Sequence, residues 1–223
     1  MRFVVTAGLK GLCRPPRLCS MESNQLKDVS LRIEGVTGVI LAGGKSTRYG
    51  SNKAFAEVHG VRLIERTIRV MGQVFPRLLL VTNTPAEYAY LQLPMVEDLI
   101  KGLGPLGGIY TGLEVMEDEN GLFVACDMPF LKEDLLRYMV TLRDDYDAVV
   151  PRVKWMVEPL HALYTKNCLP SIREFIRSHE HQIFKFFQKI NVKYVEEEEI
   201  RSIDPDFKSF LNINKPEDIE RLS

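Results

Sequence analysis

The chain lacks a CxxC pair, an apolar run long enough to cross a bilayer, and any appreciable net charge, and each absence removes a class of function. The four cysteines, Cys13, Cys19, Cys126 and Cys168, are scattered and none has a histidine at ligand spacing. Neither a disulfide framework nor a zinc site is indicated, and a reducing cytoplasm is expected. The apolar runs stop far short of the roughly 20 residues that a membrane helix needs, so no membrane is expected as a partner. With a formal net charge of -1 and acids and bases intermixed, no global field draws nucleic acid or anionic lipid, and any anion must be bound locally. At 223 residues the chain suffices for one well-packed domain and only marginally for two.

Residues 1–35 differ from the rest. Their apolar stretch is broken by Lys10, a basic Pro-Pro segment follows, and no small-x-small cleavage site is present, which makes a poor signal peptide. The expectation is a disordered arm, or an upstream start with Met21 opening the functional chain. The domain is then residues 36–223.

From residue 36 the pattern alternates as in a βαβ protein. "GVTGVILAGG" is an apolar run ending in glycines, and "RLIERTIRVMGQV" places Leu63, Ile64, Ile68, Met71 and Val74 on one helical stripe. "RLLLVTN" and "MVED" read as strands, "GGIYTGLEVMED" as a helix, and "GLFVACDMPF" as a strand that ends in Asp127. A helix in "LKEDLLRYMVTL", a strand in "DAVVPRV" and helical stretches at 167–178 and 181–189 follow. "MVEPLHALYT" is left unassigned, and "SFLNINKPEDIERL" suggests a short strand and then a helix with Pro216 in its first turn. The expected fold is a single-domain, Rossmann-like α/β architecture with a mostly parallel central sheet flanked by helices.

In such sheets ligands lie beyond the carboxyl ends of the strands. Three unusual stretches fall there: the loop after Leu41, the segment around Asp98, and Asp127. The loop contains Gly44-Lys45-Ser46, the ending of an ATPase phosphate-binding loop, but that motif needs a glycine at position 39, which is valine. It is a glycine-rich loop of another kind. Gly43 and Gly44 offer unobstructed N–H groups beside Lys45, Arg48 and Lys53, a concentration of cations suited to a triphosphate. A carboxylate at the top of a buried strand is costly unless paired or holding a cation. Asp127 therefore either caps the next helix or turn, or holds Mg²⁺, which takes one or two carboxylates with phosphate oxygens and waters. Asp98 has the same two readings.

"LAGGKSTRYGSNKAF" resembles the signature of nucleotidyltransferases that transfer a nucleoside monophosphate to a phosphorylated acceptor. With "VED", "GPLGG", "ACDMPF", "EPLHALY" and "NINKPED" in order, the resemblance is to the molybdenum cofactor guanylyltransferase family over residues 36–222. Tyr49 in place of the usual methionine and Cys126 before the aspartate are its small departures. The resemblance implies GTP and molybdenum-molybdopterin as substrates, Mg²⁺ as cofactor, and cofactor-insertion chaperones and molybdoenzymes as further partners. It implies that Leu41, Ala42, Gly43 and Gly44 meet the nucleotide, Lys53 its phosphates, and Asp98 and Asn83 the nucleotide again. Asp127 would hold the metal and nucleotide, and Asn212 and Asn214 the acceptor. Arg48 is assigned to the triphosphate by chemistry as much as by resemblance, so Arg48, Lys53 and Asp127 form the expected catalytic set. A cytidylyl or sugar-phosphate transferase, or a non-catalytic cofactor-binding module, would share much of this pattern, and these readings stay open.

The other prominent residues have plainer readings. His59 belongs to a turn in "EVHGV", His179 and His181 to an exposed helix boundary, and Phe184, Phe186 and Phe187 to the core, while "EEEE" at 196–199 opens a solvated helix. His161 is left unassigned.

Overall fold

Six consecutive buried residues, Val36–Leu41, form the strand β1 on which the rest is built. The computed structural model describes residues 32–43, 52–178, 183–213 and 218. After β1 the chain runs through β2 (Glu57–Val58), β3 (Val61–Arg62), α1 (Leu63–Val74), β4 (Arg77–Val81), α2 (Pro85–Tyr88), β5 (Met95–Val96), α3 (Pro105–Val115) and β6 (Asn120–Ala125). Then come α4 (Glu133–Thr141), β7 (Ala148–Val153), β8 (Met156–Val157), β9 (His161–Thr165), α5 (Leu169–Arg177), α6 (Ile183–Phe186), β10 (Val192–Val195) and α7 (Glu197–Arg201). The central sheet has the order β10-β7-β9-β6-β1-β4-β5, with β8 paired to β7. Along that path only β9 is reversed, antiparallel to both its neighbours. The mostly parallel sheet read from the sequence is therefore present.

Alternation along the strands divides the core in two. Ile40, Leu80, Leu122 and Val124 pack with Ile64, Met71 and Val74 of α1 and Leu135, Leu136 and Met139 of α4. Val39, Leu41, Val81 and Phe123 pack on the opposite face with Leu106, Ile109 and Leu113 of α3 and Ile172 and Phe175 of α5. This covered, two-faced arrangement is why the strands are continuously apolar. In α1 the expected stripe is buried, Ile68 partly so against the core, and Thr67 is buried beside it; its hydroxyl donates to the Leu63 carbonyl at 3.1 Å, so burial costs no unpaired group. Gly112 lets α3 lie close to the sheet: a Cβ there would stand 2.5 Å from the Phe123 ring and 3.0 Å from Val39.

Several expectations need correction. The β6 strand ends at Ala125, so Asp127 lies in the turn beyond it rather than in the ladder. The stretch "SFL" is not a strand: Lys208–Phe210 is a 3-10 turn, entered through Phe207 in left-handed geometry at φ 55°, and the helix expected around Pro216 lies largely outside the described residues. Phe186 and Phe187 are core, but Phe184 is exposed. "MVEPLHALYT" proves to be β8 and the reversed β9. His59 does sit in a turn, at φ 51°, whereas His179 and His181 lie outside the described residues. No described helix is long and apolar enough to cross a membrane.

His161 is fully buried on β9, its ring 5.0 Å from that of Phe210. Neither ring nitrogen makes a hydrogen bond of ordinary geometry among the described residues, although the Ser209 backbone and the Asp204 carboxylate lie near enough to oppose the effect of burial in part. Burial dominates and pushes the imidazole down to about 4. A folded-state value below the unfolded 6.5 means that the unfolded chain binds the extra proton first, so stability is full above pH 6.5 and falls as the pH drops toward 4. The loss should be on the order of 3 kcal/mol. Melting temperatures measured from pH 7 to pH 4 should fall more steeply for the wild type than for His161→Phe. Parallel curves would show that another group carries the acid sensitivity.

Candidate active site

The register of the ladder fixes where the strands deliver their ends. Leu41 pairs with Val81 on one side and Ala125 on the other, and Val81 pairs with Val96. Two residues beyond these laddered positions stand Gly43, Asn83, Asp127 and Asp98. Four of the residues singled out in the sequence thus share one row across β5, β4, β1 and β6, at the carboxyl edge of the sheet.

Within the row the side chains pair. The Asn83 amide donates to an Asp98 carboxylate oxygen at 2.7 Å, and the Asp98 N–H donates back to Asn83 Oδ1 at 3.2 Å. This reciprocal pair holds the Asp98 carboxylate against the end of β4. The Lys53 ammonium forms an ion pair with the Asp127 carboxylate, both largely shielded at 20% and 15% side-chain exposure. Asp127 was expected to be an isolated carboxylate; instead it is paired. It does not cap a helix, because α4 begins at Glu133 with Lys132 at its N-cap and no side-chain cap.

Lys53 is placed by its neighbours. Asn52 accepts the Ala54 N–H at 3.2 Å, capping the 3-10 turn Lys53–Phe55. Its amide donates to Glu87 at 2.7 Å, and the buried Tyr88 hydroxyl donates to Asn52 Oδ1 at 3.2 Å. Asn52 escaped the sequence reading, although an asparagine immediately before a short helical turn is itself a capping signal.

The chain after β1 is partly committed to the sheet. Leu41 O accepts the Cys126 N–H at 3.1 Å, and the Ala42 N–H donates to Val81 O at 2.9 Å. Leu41 and Ala42 therefore act as walls, with both side chains buried. At Gly43 a Cβ would meet nothing within 4 Å among the described residues, which leaves its backbone open to a ligand on their side. Gly44 and Arg48 lie outside the described residues, as do Lys45 and Asn214. Asn212 is exposed, and the next residue, Ile213, donates its N–H to Asp127 O at 3.1 Å. The segment expected to meet the acceptor therefore runs alongside Asp127.

Because β9 is reversed, its amino end reaches the same edge. Leu160 O accepts the Ala125 N–H at 2.9 Å, and Glu158 lies two residues earlier. Burial raises the Glu158 carboxyl above the usual range. It too was missed; the available signal was a single acid before proline between two apolar segments. Cys126, beside Asp127, is buried, and burial together with that carboxylate pushes its thiol up to about 12.

The row combines an open glycine backbone, a lysine and two carboxylates, one paired with an amide and one with the lysine. Such a set can bind a polyphosphate and neutralise charge at it. The sequence model of the MobA-like NTP transferase domain matches residues 38–194. The chain belongs to this family. Within the family, a protein of Pelotomaculum thermopropionicum named a probable molybdenum cofactor guanylyltransferase is 39% identical over 82% of this chain and 89% of its own. The molybdenum cofactor guanylyltransferase of Desulfosudis oleivorans is 36% identical over 85% of this chain and 95% of its own. The crystal structure of molybdopterin-guanine dinucleotide biosynthesis protein A from Archaeoglobus fulgidus superposes with a TM-score of 0.73 at 27% identity, covering 83% of this chain and 95% of that one.

The ion pair reverses what an isolated carboxylate would do to stability. Asp127→Asn removes the charged partner of the shielded Lys53 ammonium, so it should destabilise by about 1 kcal/mol, lowering the melting temperature by roughly 2–4 °C. Combining it with Lys53→Met should recover part of the loss, the coupling expected of a direct pair. A double mutant whose effects simply add would deny the pair any energetic role.

Proposed function

We propose that the protein transfers GMP from GTP to the terminal phosphate of molybdenum-molybdopterin, releasing pyrophosphate and leaving molybdopterin guanine dinucleotide. The observation that carries this reading is the Lys53–Asp127 pair in the strand-end row, beside the open backbone of Gly43. A phosphate oxygen of the acceptor attacks the α-phosphorus of GTP in line, and the bond to the β-phosphate bridging oxygen breaks. Both reactants are anions, so catalysis consists of neutralising and aligning them. The attacking phosphate is already ionised at neutral pH, so no general base is required.

Lys53 releases Asp127 and turns its ammonium to the phosphates, joined by Arg48 and by the N–H groups of Gly43 and Gly44. Leu41 and Ala42 flank the nucleoside, and the Asp98 carboxylate, held by Asn83, accepts from its donors. Asp127 fits Mg²⁺, being a single shielded carboxylate already opposed to a cation, which is the donor number this ion takes when phosphate and water complete its shell. Bound there, Mg²⁺ would supply charge neutralisation at the α-phosphate. Asn212 and Asn214 are assigned to the acceptor. Residues 36–223 carry this chemistry, and residues 1–35 none of it. The free thiols of Cys126 and Cys168 suit a reducing cytoplasm, where the product would pass to insertion chaperones and molybdoenzymes.

With molybdenum-loaded molybdopterin and Mg²⁺, pyrophosphate release should be much faster with GTP than with CTP. Preference for CTP would replace this reading by a cytidylyl transfer, and no release with either nucleotide would leave a binding module. Lys53→Ala should weaken GTP binding and turnover together, since a phosphate contact is lost from both ground and transition states. Asp127→Asn should cost turnover roughly 10²-fold or more at limiting Mg²⁺. Kinetics unchanged in either variant would remove that residue from the machinery.

A further inference from the structure

The row continues past Asp127, and what it meets on the far side has not been given a role. Gly121 of β6 and Ala148 of β7 both pair with Tyr164 of β9, so β6 and β7 run level. β7 therefore runs out at the same carboxyl edge as β6, two strands away, and ends there in the turn to β8. Lys154 and Trp155 form the two-residue turn that joins β7 to β8, closed by the pairing of Val153 with Met156.

That turn is unusual in three respects. Both residues are left-handed, at φ 47° and 67°, a geometry normally given to Asn-Gly and costing bulkier residues on the order of 1 kcal/mol each. Trp155, the only tryptophan of the chain, is 92% exposed, so its large ring is not there for the core. The turn is nonetheless braced: the Lys154 N–H donates to Glu197 at 3.1 Å, Arg152 is ion-paired with Glu196, and the Arg152 guanidinium lies 4.4 Å from the Tyr194 ring centre. A rigid, strained turn thus holds an indole in solvent. Trp155 shares one shallow cleft with Glu198, whose exposed carboxylate has no hydrogen-bond or ion-pair partner among the described residues.

We propose that Trp155 and Glu198 bind the pterin of the acceptor, the indole stacking on the ring and the carboxylate receiving its 2-amino and adjacent N–H donors. This rests on the GMP transfer proposed above and adds to it a subsite for the other substrate. Nucleotide residues occupy β1, β4 and β5, so the free side of Asp127 is that of β9, β7 and β10. Aromatic stacking suits a flat conjugated ring, and a carboxylate matches an edge made of donors.

Steady-state kinetics of Trp155→Ala should show the KM for molybdenum-loaded molybdopterin raised about 10-fold or more, with the KM for GTP within twofold of the wild type. Trp155→Phe should restore most of the loss, which a merely structural role of the turn would not require, and Glu198→Gln should raise the same KM several-fold. In the wild type, titration with molybdopterin in the absence of GTP should quench the single tryptophan, and GTP alone should not. If the wild type turns over but Trp155→Ala keeps a normal acceptor KM, the subsite is wrong while the transfer reaction stands, and the exposed indole belongs to a protein contact. If the wild type does not turn over at all, the acceptor itself is wrong and both proposals fall.

Discussion

The register of β1 between β4 and β6 is the constraint on which the rest depends. A parallel ladder aligns strand ends as strictly as it aligns strand interiors, because slipping by one residue would turn every side chain to the opposite face. Val39 and Ile40 are buried against different helical layers, so such a slip would expose an entire apolar set. Core packing thereby fixes the positions of residues that are not in the core. Asp98, Asn83, Gly43 and Asp127 are collinear because the apolar residues beneath them admit only one alignment.

That dependence explains what could be read from the sequence. The helix at Leu63–Val74 and the apolar strands announce themselves by period, and the glycine-rich loop and strand-end acids by the contrast between a buried run and a polar stop. The direction of β9 could not be read, because a five-residue apolar segment has the same pattern whichever way it runs, and its reversal is what brings Glu158 to the edge. Thr67 joins the expected stripe on the buried face because a hydroxyl that bonds within its own helix can be buried without penalty. The Lys53–Asp127 pair was invisible for a different reason. Charge pairing between distant segments leaves no local trace, so the two residues could be nominated separately but not joined. Asn52, by contrast, carried a local capping signal that was available and not used.

The pair also addresses a difficulty common to sites that bind polyanions. A shielded carboxylate and a shielded ammonium are each costly alone, and a site made for phosphate must exist before phosphate arrives. Here each compensates the other, and in the proposed reaction their separation would be the exchange of one set of ionic contacts for another. Asn52, anchored to Glu87 and Tyr88, caps the turn that begins at Lys53 and so fixes the backbone that carries the lysine.

Cys126 stands next to Asp127, where the proposed acceptor would bring a metal already held by sulfur. An accessible thiolate in that position would be a rival ligand, able to strip or trap molybdenum. With its thiol buried and pushed up to about 12, Cys126 stays protonated at neutral pH. The same wall that supports the aspartate keeps its sulfur neighbour protonated, so the proposed site could take a thiophilic cargo beside a cysteine without a thiolate competing for it.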